Sequence, residues 1–230
     1  MLFQDHLVQQ TATQREYLLV APVIQQALAG QITHETYVAF LTQAYHHVRH
    51  TVPLLMAVGS RLPQHLTWLQ PYLMHYLEEE QGHERWILDD IDAAGGDRLR
   101  AARSQPDLAT DAMVAFAYDM VARRNPAGFF GMVHVLEGTS VALALRAADR
   151  IHDTLRLPNR AFTYLRSHGS LDREHIEFLA GILERFDREE DRDSIVHCAQ
   201  AVYWLYGSMF HRLGQHQPAP SELLEVRRTA

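Results

Sequence analysis

Apolar residues recur at three- and four-residue spacing along nearly the whole chain and hardly anywhere alternate strictly with polar ones. That period puts them on one face of a helix, whereas a half-buried strand needs a period of two. The pattern predicts a first amphipathic helix over 4–28, stopped by Gly30 as a C-cap. Thr33 then N-caps a second helix through THETYVAFLTQAYHHVRHTVPLL, with Pro53 as a kink or break. A third runs over 66–94 and ends at Gly95-Gly96, followed by a short piece to Ser104. Pro106 marks the turn before a helix over 107–124, and Asn125-Pro126 opens another that continues to 155. Pro158-Asn159 is the next break, and helices over 160–186 and 193–213 complete the set. No Asn-Gly or Asp-Gly turn joins alternating apolar runs, and no repeat or linker divides the chain. The expected fold class is all-α: a single domain of seven or eight helices over 1–214, packed pairwise round a central cavity. A tail over 215–230 is expected to fray or dock loosely.

Composition narrows the function classes. Of the 230 residues, 47% are apolar and 21% charged, so the chain can bury a core. A net charge of −7 argues against nucleic acid as a partner. No apolar run approaches the roughly 18 residues that a membrane span needs. The opening MLFQDHLVQQ is too polar for a signal peptide, and the expected compartment is the cytoplasm. The single cysteine, Cys198, excludes an intramolecular disulfide framework and a thiolate zinc site. All 21 basic residues are arginine, which removes lysine Schiff-base chemistry, while histidine is abundant at 15.

Three segments carry candidate chemistry. In SHGSLDREHIEF, His168, Asp172 and His175 stand at i, i+4 and i+7, on one helical face. Two imidazoles and a carboxylate converging from one face suit Fe(II) or Zn(II). In YLEEEQGHERW, Glu80 and His83 form an i, i+3 pair of the kind that di-iron bundles project inward, although Glu79 could substitute for Glu80. In FFGMVHVLEGTSVALAL, Glu137 sits within a strongly apolar helix, where an unpaired carboxylate costs several kcal/mol. It therefore needs an arginine, a polar network or a metal, and His134, one turn earlier, is a candidate partner or ligand. Three carboxylates and three imidazoles on three helices fit a dinuclear iron or manganese site. His46, His47 and His50 add candidates for a further ligand, a supporting donor or cavity polarity, and Phe40, Tyr45, Phe129, Phe130 and Met132 for pocket lining.

The order of FLTQAYHHVRHT, EEEQGHERWILDDIDAAG, NPAGFFGMVHVLEGTS and HGSLDREHIEFL resembles the haem-oxygenase-like superfamily over roughly residues 15–210. Within it, the similarity is to iron-containing redox enzymes, also called TenA/THI-4-like proteins. The resemblance implies a helical bundle like that of TenA and the PQQ-synthesis oxidase, and metal ligation by Glu80, His83, Glu137, His168, Asp172 and His175. The activity it implies is that of a non-haem di-iron oxidase or oxygenase, with two Fe per chain (or Mn). Its partners would be O2 and a small organic substrate, its assembly a homodimer, and Glu137 its catalytic residue.

Departures weigh against other members of the superfamily. TenA thiaminases share Gln43 and Tyr45 but carry aspartate where this chain has Ala44, and their nucleophilic cysteine has no counterpart near Glu137. Haem oxygenases place a proximal histidine on the first helix, where only His6 is offered. A metal-independent, thiaminase-like hydrolase and a non-catalytic metal- or ligand-binding protein stand as the alternatives.

Overall fold

The computed structural model describes residues 2–213, and within them the side chains of all but residues 169–177. The expected tail over 215–230 lies outside the described residues. The described chain is all-α, and it has more helices than the seven or eight expected. In order these are α1 (Phe3–Gln10), α2 (Ala12–Leu19), α3 (Pro22–Ala29), α4 (His34–Val48), α5 (Thr51–Arg61) and α6 (Gln70–Glu80). They continue as α7 (His83–Ala93), α8 (Arg98–Arg103), α9 (Leu108–Arg123), α10 (Phe129–Leu155), α11 (Thr163–Leu183) and α12 (Glu189–Arg212). Short 3₁₀ turns precede α6, α10 and α11.

The excess comes from breaks inside stretches whose apolar period does not change. The region expected as one helix over 4–28 splits at Thr11, whose hydroxyl bonds back to the Leu7 carbonyl, and again before Pro22. The stretch expected over 66–94 begins with a 3₁₀ turn and then bends at Gln81-Gly82. Other boundaries fall where the caps put them. Gly30 ends α3 at φ 69°, Thr33 accepts the Thr36 amide to start α4, and Asp107 accepts the Ala109 amide to start α9.

The core is organised round α10, which packs against α11, α12 and α3. Gly131 sets the closest of these approaches. A Cβ there would lie 2.7 Å from the Ala199 nitrogen and would also strike the Ile195 carbonyl oxygen, so α10 and α12 meet backbone to backbone. Being enclosed from three sides, α10 is apolar on much of its circumference. Residues Pro126–Leu155 are in fact long and apolar enough to cross a membrane by length and composition, contrary to the sequence expectation. In the fold this helix serves as the central core element, with Glu137 buried in its middle.

Two buried aspartates fix the helices around it. Asp191, at the start of α12, accepts from His65 and from Asn125. Asp90 of α7 accepts the Thr163 and Tyr164 amides at 3.0 and 2.8 Å, capping α11 from a neighbouring helix. Burial raises the Asp90 carboxyl to about 6.

Candidate metal centre

Residues of α6, α10 and α11 meet at one cavity wall, and His83 of α7 stands beside them. On α6 the inward face reads Leu73, Tyr76, Glu80, at i, i+3 and i+7, so Glu80 is carried inward by the register of two core residues. Glu78 is exposed, and Glu79 turns aside to pair with His75 at 3.4 Å. Of the two glutamates the spacing left open, Glu80 is the one that faces the cavity.

Glu80 and His83 do not share a helix, as the i, i+3 reading had supposed. Glu80 is the last residue of α6, His83 the first of α7, and Gly82 between them has φ 94°. The bend brings His83 Nδ1 to 3.2 Å from Glu80 Oε2. The two atoms are not aligned as a hydrogen bond, and His83 Nδ1 is buried without a hydrogen-bond partner. His83 also stacks on Trp86 at 4.1 Å and meets the His168 ring nearly edge-on, at 4.9 Å.

Glu80, His83 and His168 each offer one donor atom, and these atoms lie within 4.8 Å of one another. Donors 2.0–2.2 Å from a common divalent ion can be at most about 4 Å apart, so small adjustments would let one ion bridge the three. A buried imidazole nitrogen lacking a hydrogen bond beside a buried carboxylate is the donor chemistry that borderline metals take. The site therefore fits the metal its sequence pattern suggests. Glu137 is 8% exposed and lines the same cavity, as does Tyr76. Burial and the Glu137 and Glu80 carboxylates together raise the Tyr76 pKa. The side chains of Asp172 and His175 lie outside the described residues, so their expected ligation is not among these contacts.

The three histidines of α4 separate. His46 bonds Ser104 at 2.8 Å and His50 bonds Tyr118 at 3.2 Å, while His47 lines the cavity, edge-on to Tyr206. Both His47 ring nitrogens are buried without a hydrogen bond, and burial, with the nearby His168, lowers its pKa to about 3. His134, a candidate partner of Glu137, instead faces Tyr203 from outside the cavity wall, and burial lowers it to about 4.

Of the expected lining residues, Phe40, Phe129 and Met132 border the cavity. Tyr45 packs on His46 and Arg49, and Phe130 on Phe186, so neither reaches it. Tyr76, Tyr164 and Tyr206, which the sequence did not single out, do line it. Only the register of Tyr76 with Glu80 could have signalled one of them. Cys198 is buried in the α10–α12 contact, with its thiol pushed up to about 12, and is not a cavity residue. A second group, His65, Glu190 and Asp191, also brings donor atoms together, but Asp191 is committed there to His65 and Asn125 as a structural tie.

Solved structures share this architecture. A domain of unknown function with a haem-oxygenase-like fold from Shewanella denitrificans OS217 is 25% identical, with a TM-score of 0.83 over 99% of this chain and 96% of that one. A TenA homologue from Pseudomonas syringae pv. tomato is 10% identical, with a TM-score of 0.75 over 93% of each chain. The haem oxygenase of Leptospira interrogans is 14% identical, with a TM-score of 0.73 over 93% of this chain and 100% of its own. The last two show the fold alone, which is haem-oxygenase-like. No sequence among curated proteins matches the chain. The model of one family does match, over residues 38–207, a span containing the whole donor cluster, and the chain belongs to that family, the iron-containing redox enzymes.

Proposed function

We propose that the protein is a non-haem, di-iron oxidoreductase that activates O2 to oxidise a small organic metabolite inside the bundle. The observation that carries this reading is the convergence of Glu80, His83 and His168, from three helices, beside a cavity that Glu80, His168 and Glu137 line. In this reading Glu80, His83, Glu137, His168, Asp172 and His175 hold two iron ions per chain, and manganese can replace them. Iron, when bound, supplies O2 binding and electron transfer. Glu137, on the cavity wall, exchanges protons with the substrate and is the catalytic residue. His47, neutral across the physiological range, presents an uncharged imidazole to the same space. The apolar walls exclude water, which keeps the reacting groups from competing with solvent. The protein works as a cytoplasmic homodimer.

The hydrolase alternative is less well served. Its thiaminase form needs a nucleophilic cysteine, and the one cysteine of this chain is a buried α12 residue with a raised pKa.

Anaerobic Fe(II) titration of metal-stripped protein tests the proposal. Two equivalents per chain, followed by O2 uptake on mixing, are expected. Absence of binding above background would overturn it. Asp172→Ala should abolish iron binding while leaving the helical circular dichroism unchanged, and full iron occupancy in that variant would remove Asp172 from the ligand set.

A further inference from the structure

Beyond the donor cluster the cavity continues along α10, and its walls change character. Lining residues on this helix run from Phe129 to Ile151, with Glu137 between. From Glu137 to Ile151 is about 21 Å of helix axis. α3 packs against α10 and contributes Val23, Ile24 and Ala27 to the lining, while the far part of α10 contributes Leu143, Ala144 and Ala147. The carboxylate and imidazole lining residues, Glu80, Glu137, His47 and His168, come instead from the donor cluster and its immediate surroundings. Among the described lining residues there is neither arginine nor lysine.

We propose that the arm between α3 and α10 holds the aliphatic chain of a single-headed substrate. Three features support this. First, beyond the Thr139 and Ser140 hydroxyls the arm is apolar on both sides, so each methylene it covers there gains the full transfer free energy, and a polar group would lose its water without a partner. Second, the space is kept by alanines. Ala144 and Ala147 lie at i, i+3 on α10 and Ala27 lines the same space from α3, so three of its lining side chains end at Cβ. Third, the wall offers no described cation, so the paired charges of a free amino acid would have no counter-charge along the arm. The half-buried Leu28, Leu143 and Ala147 show that the arm also reaches toward solvent, which gives a chain a route in. Placing the substrate's head at the metal rests on the proposed function; the arm does not.

The test uses the full-length, metal-stripped protein and 1-alkanols from hexanol to tetradecanol, measured by displacement of the neutral fluorophore N-phenyl-1-naphthylamine. Affinity should rise roughly three- to fourfold per methylene, up to a limiting length. Ala147→Phe should shorten that limit, and Ala144→Leu provides a second blocking variant should the first fail to fold, as judged by thermal melting. A flat chain-length series would overturn the proposal, as would the same limiting length in a folded blocking variant and the parent. Displacement by free leucine or phenylalanine equal to that by the long alkanols would overturn it too. Because the alkanols are neutral and the protein metal-free, chain-length dependence without any Fe(II) uptake in a parallel titration would uphold the arm while overturning the metal reading.

Discussion

His83 Nδ1 stands 3.2 Å from Glu80 Oε2 across a bend whose inner residue, Gly82, has φ 94°. The two ligand-type residues are three apart in sequence, yet they belong to different helices and face each other because the chain turns between them. A straight α-helix would set both along one stripe, each pointing to a separate height on the wall. The bend instead aims both at the point where His168 arrives from α11.

Gly82→Ala isolates the contribution of this bend. A Cβ there meets nothing within 4 Å, so the cost is that of holding an L-residue in a left-handed conformation, about 1–2 kcal/mol. Thermal melting should show a matching loss, and Co(II) titration a weakened site. Unchanged Co(II) affinity would mean that the bend does not aim the pair.

Glu137 should prove necessary for metal binding. Glu137→Gln keeps the shape of the side chain and removes its charge, so the variant should lose iron stoichiometry while its helical circular dichroism stays that of the parent. Metal analysis after anaerobic Fe(II) loading gives the number, and full iron occupancy in the folded variant would remove Glu137 from the ligand set.

Gly131→Ala should be among the most damaging small substitutions in the chain. The added Cβ would press into the α12 backbone at Ile195 and Ala199, which cannot rotate away as a side chain would. A loss of about 3 kcal/mol or more is expected by urea denaturation. Gly138→Ala, with nothing within 4 Å of its Cβ, is the control and should be neutral or mildly stabilising.

The metal-free protein should lose stability as pH falls below neutrality. His47 and His134 have folded pKa values lowered to about 3 and about 4 from 6.5, and burial lowers His46 and His50 as well. A depressed folded value means that the unfolded chain binds the proton first. The contribution is therefore complete above pH 6.5 and lost as pH falls toward the folded value, by up to about 1.4 kcal/mol per pH unit for each histidine. Asp90 acts in the opposite sense. Its folded value, raised to about 6, gives stability that is present below 3.8 and lost as pH rises through 6, so it offsets about one histidine between those limits. Urea midpoints from pH 7.5 to 4.5 should fall, and His134→Leu should flatten the slope. A slope unchanged in that variant would show that His134 titrates normally.

The one-dimensional pattern determined a good deal of this protein. The period of three and four fixed an all-α chain, because it is the only regular structure that puts those apolar positions on one side. Thr33 and Gly30 fixed their helix ends, because capping is a contact between near neighbours. Glu137 was conspicuous because a carboxylate in an apolar helix needs a partner wherever the helix goes. The number of helices was less legible. Bends at Thr11 and Gly82 leave the apolar period intact while changing the direction of the axis. Which residues share the cavity was decided only by the tertiary structure. His47 and His46 are adjacent and chemically identical, yet one faces His168 and Tyr206 while the other bonds Ser104. His134 and Glu137 are one turn apart, yet one packs on Tyr203 and the other lines the cavity. Spacing along a helix fixes angles about its own axis. The side that becomes interior is set by the helices packed against it, and for α10 those come from opposite ends of the chain.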